Sequence, residues 1–186
     1  RERRVKGFDT CALIGLRDSD DIRSSGSIVL PEYTNTTGAP FLSAEHGGML
    51  LSYEVVNDPE TIYTRIDNPT VDALAWKCAL LEVWHSEEEA VGLCTSSGMA
   101  AIREATLALL SAGDSFVSSH LVYGGTQQLF DTTYAKHGMR VRWIDRPDQL
   151  SDWERCIDET TKFLYVETPS NPLLFVADIA GLAQLA

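Results

Sequence analysis

Ala90-Val-Gly-Leu-Cys94-Thr-Ser-Ser-Gly98-Met99-Ala-Ala-Ile102-Arg-Glu-Ala105-Thr-Leu-Ala-Leu109-Leu110 opens with a short apolar run, turns through small polar residues and continues as helix-forming text. The run Ala90–Cys94 has the length of a buried strand. Met99–Leu110 puts Ile102, Ala105 and Leu109 on one side of a helix that stops near Gly113, a natural C-terminal end. The same phrase then returns in kind. Ser115–Val117, Arg140–Ile144 and Lys162–Val166 are short apolar runs, each followed by helix-like text. Those helices are Thr126–His137, ending at Gly138, then Gln149–Asp158, then one capped by Asp178. Strand and helix alternating at this short period predict right-handed βαβ units and a mainly parallel sheet. The expected fold class is α/β with flanking helices.

Upstream, Asn68-Pro69-Thr70 reads as a helix opening. Asn can cap free N–H groups, and Pro is pre-shaped for the first helical position. Val71, Leu74, Cys78 and Leu81 then recur at helical spacing as one apolar face. In the first 60 or so residues no period holds for long, and one candidate strand, Ser27–Leu30, stops at Pro31. The expected organisation is an irregular segment, residues 1–60, followed by the start of an α/β domain, residues 61–186.

Composition narrows the class. The 186 residues are 44% hydrophobic and 23% charged, enough for a packed core, and carry a net charge of -12. Such an acidic chain lacks the basic stripe that nucleic acid requires. No apolar run approaches the roughly 18 residues needed to span a bilayer, so no membrane role is expected. Cys11, Cys78, Cys94 and Cys156 form no C-x-x-C pair, and His46, His85, His120 and His137 are equally scattered. No metal site is expected, and isolated thiols suit the cytoplasm. The basic start Arg1–Lys6 is followed by no apolar region and does not read as a signal peptide.

In an open α/β sheet, ligands gather beyond the carboxyl ends of the strands. Thr95-Ser-Ser-Gly-Met99 is there either a phosphate or carboxylate seat at a helix start or an ordinary capping turn. Leu121-Val-Tyr-Gly-Gly-Thr126 sets Tyr123 beside two glycines. That ring could stack on a flat ligand with its hydroxyl free for proton transfer, or it could be a core tyrosine. In Glu167-Thr-Pro-Ser-Asn-Pro172 two prolines fix where Asn171 points, for a ligand or for a turn. Tyr63-Thr-Arg65 could grip a phosphate through the planar guanidinium fork, or lie on the surface. Neither a Walker loop nor a G-x-G-x-x-G fingerprint is present.

Taken together and in order, four phrases resemble the Cys/Met-metabolism (trans-sulfuration) family of pyridoxal phosphate enzymes. They are Tyr63-Thr-Arg65-Ile-Asp-Asn68-Pro-Thr70, Ser96-Ser-Gly-Met-Ala-Ala-Ile102, Tyr123-Gly-Gly-Thr126 and Glu167-Thr-Pro-Ser-Asn-Pro172. The resemblance runs from about Gly26 to the end. It implies the aminotransferase-like, fold type I large domain and pyridoxal 5'-phosphate as cofactor. It also implies a small amino-acid substrate and a homo-oligomer, a homotetramer, with active sites shared between subunits. By resemblance, Ser97, Gly98 and Met99 hold the cofactor phosphate, and Tyr63 and Arg65 reach it from the neighbouring subunit. Tyr123 lies on the pyridine ring and moves protons, and Asn171 orients the ring's phenolic oxygen. The implied reaction is elimination or replacement at the β or γ carbon of sulfur amino acids or activated homoserine, as in cystathionine γ-synthase or γ-lyase.

The chain departs from the family at two elements. The lysine that binds the cofactor covalently, in Ser-x-Thr-Lys, and the aspartate that protonates the ring nitrogen, in Asp-Asn-Thr, do not occur. The lysines are Lys6, Lys77, Lys136 and Lys162, all in other contexts. The chain therefore resembles the front part of such an enzyme, expected to be inactive alone. The other reading is a catalytically silent homologue that serves as a binding or assembly partner.

Overall fold

A computed structural model describes residues 43–52, 63–66, 68–86 and 88–186. The expected strand Ser27–Leu30 and the expected boundary at residue 60 lie outside them. The chain divides into two compact units, residues 1–94 and 95–186. Among the described residues no helix is long and apolar enough to cross a membrane.

In the first unit, Ala44–Leu51 forms helix α1, inside the stretch read as irregular. It is short and carries two glycines, so no period could announce it. The Ser43 hydroxyl starts it by accepting the His46 amide at 3.0 Å. Helix α2, Pro69–Glu82, begins as the sequence predicts: the Asn68 side chain accepts the amides of Thr70 at 2.9 Å and Val71 at 3.4 Å. Its buried side is not the expected one. Ala75, Ala79 and Leu80 are buried, whereas Val71, Cys78 and Leu74 (55% exposed) face outward. The reason is close approach. A Cβ on Gly92 would stand 2.1 Å from the Ala75 carbonyl oxygen, so this backbone passes where α2 presents small residues.

Gly92 belongs to Ala90–Cys94, which the sequence predicts as a strand. Here the structure corrects the expectation. The segment pairs with no strand among the described residues, and Val91 and Leu93 are 98% and 82% exposed. A strand exists through its neighbours, and an apolar run without one is not a strand.

The second unit holds a parallel three-stranded sheet in the order β2-β1-β3. The strands are β1, Ser115–Ser119, β2, Arg140–Ile144, and β3, Thr161–Tyr165. Ser115 lies opposite Arg140 and Ser119 opposite Ile144, and the β1–β3 register shifts between Ser115 and Val117. Central β1 is buried throughout and runs two residues beyond the expected Val117. Its serines extend it because their hydroxyls are satisfied: Ser115 with Thr160 at 2.8 Å, Ser118 on the Ser119 carbonyl at 3.1 Å, Ser119 from the Leu121 amide at 2.9 Å.

Side chains alternate across β1 and build a core on each face. Phe116 joins Leu110, Phe130, Tyr134 and Met139, and its ring meets Phe130 edge-on at 4.7 Å. Val117 joins Ile144, Trp153, Ala177 and Leu182. On the Phe116 side stand α3, Gly98–Leu107, and α4, Gly124–Gln128, which continues as a π-helical segment, Leu129–Tyr134. On the Val117 side stand α5, Leu150–Cys156, and α6, Ile179–Leu185, the latter capped by Asp178 as expected. Gly113 and Gly138, the expected helix stops, take left-handed φ values of 99° and 78°.

The packed face of α3 also differs from the expected one. Ala105 and Leu109 are exposed, while Thr106 and Leu110 are buried beside half-buried Ile102. Polar Thr106 can enter because its hydroxyl meets the Tyr134 hydroxyl at 2.6 Å.

Candidate functional site

Parallel strands carry the chain toward one common edge, and the loops bearing Tyr123 and Asn171 leave from it after β1 and β3. After the Thr95–Ser97 turn, the Ser97 hydroxyl caps α3 by accepting the Ala100 amide at 3.1 Å, and the Ser97 carbonyl takes the Ala101 amide at 3.0 Å. Thr95 braces the turn by donating to that same carbonyl at 2.8 Å. The first amides of the helix, those of Gly98 and Met99, are left pointing outward. The space over Gly98 is open, with nothing within 4 Å of where a Cβ would stand. An anion can therefore reach these N–H groups, where the helix also concentrates partial positive charge.

Tyr123 is brought to the same place. A Cβ on Gly125 would lie 2.5 Å from Tyr123 Cε1 and 3.2 Å from Met99 Sδ, so the ring edge sits over Gly125 beside the start of α3. The residue is 50% exposed and so is no core tyrosine. It is the N-cap of α4 without a side-chain cap of its own.

A carboxylate from the end of β3 fills that role. Glu167 Oε2 accepts the Tyr123 amide at 2.7 Å, and its Oε1 accepts the Thr126 hydroxyl at 2.7 Å and the Tyr165 hydroxyl at 3.2 Å. Burial, and then the Glu167 charge beside it, push the Tyr165 phenol above the usual tyrosine range. Tyr165 stays a neutral hydrogen-bond donor. Glu167 and Thr126 were assigned no role by sequence reasoning. The readable signal was a carboxylate at the C-terminal end of a strand, where ligand-side residues gather.

The Glu167–Pro172 loop closes on Ser170, not on its prolines alone. The Ser170 amide donates to the Phe175 carbonyl at 2.9 Å, the Phe175 amide to the Ser170 hydroxyl at 3.1 Å, and the Leu174 amide to the Ser170 carbonyl at 2.8 Å. Asn171 stands exposed on this braced loop, beside exposed Leu173 and Leu174. In the other unit, the Arg65 guanidinium lies 5.1 Å over the Tyr63 ring, so these two predicted residues meet each other. Of the lysines, Lys162 pairs with Asp114 at 3.5 Å near the opposite, N-terminal ends of the strands, and Lys77 lies on α2.

The family model for Cys/Met metabolism PLP-dependent enzymes matches residues 11–186. The chain is 35% identical over 179 residues to a homocysteine synthase of Schizosaccharomyces pombe, covering 96% of this chain and 39% of that protein. It is 36% identical over 180 residues to an O-acetyl-L-homoserine sulfhydrylase of Corynebacterium glutamicum, covering 97% and 39%. Among solved structures, a Campylobacter jejuni protein described as an O-acetylhomoserine (thiol)-lyase superposes with a TM-score of 0.80 at 34% identity. That match covers 97% of this chain and 41% of the other, in which a lysine carries a pyridoxyl phosphate group. The chain thus spans about 40% of the length of the relatives it matches. Over that span it has the fold type I architecture, and it belongs to the Cys/Met-metabolism family of pyridoxal-phosphate-dependent enzymes.

Proposed function

We propose that this chain forms the cofactor-phosphate side of an enzyme that eliminates or replaces a group at the β or γ carbon of sulfur amino acids or activated homoserine. The observation that carries the reading is the meeting of Met99 and Tyr123 over Gly125, with the space above neighbouring Gly98 left open. Outward amides at a capped helix start suit a phosphate dianion, and an exposed aromatic ring beside them suits the flat group that phosphate carries. Pyridoxal phosphate, when bound, supplies the electron sink for the reaction, and the protein supplies binding and orientation.

Each residue then has a task its chemistry fits. Ser97 keeps α3 capped, so the Gly98 and Met99 amides stay aimed at the phosphate. Tyr123 offers a ring face for stacking and a hydroxyl that accepts or returns a proton. Asn171, on its braced loop, orients a phenolic oxygen through its amide. Tyr63 and Arg65 bring charge-assisted contacts to the phosphate from a neighbouring subunit of a homo-oligomer. Lys77, Lys136 and Lys162 take no part, and covalent attachment of the cofactor is assigned to the full-length protein outside these 186 residues.

Similarity to a homocysteine synthase and an O-acetylhomoserine sulfhydrylase supports replacement at the γ carbon of an acylated homoserine. The test is an assay of the full-length protein, supplied with cofactor, on O-acetylhomoserine plus sulfide, and separately on cystathionine and methionine. Homocysteine from the first mixture supports γ-replacement. A cofactor-loaded protein that turns over none of them contradicts the proposal.

A further inference from the structure

The backbone of Tyr123 has little of its own to hold it. Two glycines follow, with the largest conformational freedom of any residue, and the N-cap side chain is an aromatic ring that cannot cap. In an ordinary capping box the third helical residue is an acid that reaches back to the N-cap amide. Here that position is Thr126, a donor, fully buried. Glu167 supplies the missing acid from 44 residues away, taking the Tyr123 amide on one oxygen and the Thr126 hydroxyl on the other, each at 2.7 Å. One carboxylate thereby closes both ends of the Tyr123–Thr126 turn.

We propose that Glu167 is a positioning residue of this site: its carboxylate holds the Tyr123–Thr126 turn, and so keeps the Tyr123 ring over Gly125 beside Met99. Because Glu167 also starts the loop that bears Asn171, it fixes two site loops to one strand end. The inference rests on the reading of Tyr123 as the residue facing the cofactor ring. No other side chain among those described bonds the Tyr123 amide, and hydrogen bonds to an ionised acceptor are about twice as strong as neutral ones.

Glu167→Leu in the chain tests this. Leucine keeps much of the bulk but has no polar atom, so it accepts from neither the Tyr123 amide nor the Thr126 hydroxyl and both clamps are lost. Exchange of the Tyr123 amide hydrogen is expected to quicken roughly ten- to hundredfold, with β1 amides unchanged. The nuclear Overhauser contact between Tyr123 ring protons and Gly125 α protons is expected to vanish. A residue that merely adds global stability would instead quicken β1 as well and leave that contact in place. Should the variant fail to fold, Glu167→Asp serves, because its shortened arm draws back from the Tyr123 amide and the same readouts apply.

Pyridoxal phosphate binding, followed by the circular dichroism of its chromophore, separates this claim from the one beneath it. If the full-length parent binds no pyridoxal phosphate, the cofactor reading fails, and exchange and Overhauser data alone decide whether Glu167 holds the ring. If the parent binds, Glu167→Leu should alter the dichroism of the bound chromophore. An unchanged dichroism with an intact Overhauser contact would overturn the positioning role.

Discussion

Tyr123 Cε1 lies 2.5 Å from the point where a Cβ on Gly125 would stand, so the ring occupies the space that any side chain at Gly125 needs. Gly125→Ala must push the ring aside, because contacts that short do not persist. The helix start is exposed and the ring can swing, so stability should change little. Turnover of the full-length enzyme should fall roughly ten- to hundredfold, the scale of an ångström's misplacement of a reacting group. Steady-state kinetics and a melting curve on one preparation check both halves.

Tyr123→Phe separates the ring from its hydroxyl. Stacking is preserved, a contact on the order of 1 kcal/mol, so cofactor should be retained. A positioned acid–base group contributes about 10²–10⁴-fold in rate, and kcat should fall by that order. A kcat within a few-fold of the parent, accompanied by a lower melting point, would make Tyr123 a packing residue.

Tyr134→Phe probes the core. The Thr106 hydroxyl also donates to the Ile102 carbonyl at 2.7 Å, so losing the phenol leaves it partnered. The phenol's contacts with Thr106 and, at 3.3 Å, with the Arg103 carbonyl are lost together, at a cost of about 1–2 kcal/mol, each 1 kcal/mol being roughly 2–4 °C in Tm for a chain of this size. Thermal unfolding followed by circular dichroism reads it directly.

Asp158 gives the pH dependence its sign. Hydrogen bonds from Arg142 first, and from Thr160, hold its carboxyl below the usual aspartate value of 3.8. A lowered folded pKa means stability that is present above that usual value and lost as pH falls toward the folded one. Urea unfolding at a series of pH values from about 6 down to about 2 should show this decline at the acid end, and Asp158→Asn should flatten it. A variant with the parent's full acid decline would show that the Arg142 contact does not couple to folding.

Much of the architecture is legible because it is written locally. Asn68 and Asp178 announce helix starts through side-chain caps, Gly113 and Gly138 announce stops, and β2 coincides with the apolar run Arg140–Ile144. What the sequence hides depends on neighbours. Val91 and Leu93 look like a buried strand, yet burial needs partner strands that a local reading cannot supply. The buried sides of α2 and α3 follow Ala75 and Thr106 rather than larger apolar residues. In one case a glycine backbone passes close, and in the other a distant tyrosine offers a hydrogen bond. Glu167 is of the same kind: its meaning lies in a contact across 44 residues.

The most direct test of the central claim compares pyridoxal phosphate with pyridoxal, titrated into the chain and then treated with borohydride. A phosphate seat at Gly98 and Met99 predicts saturable binding of the phosphate ester and binding of pyridoxal weaker by roughly tenfold or more. Mass spectrometry should find no stoichiometric adduct on Lys6, Lys77, Lys136 or Lys162. Equal binding of the two compounds, or a full adduct on one of these lysines, would contradict the account.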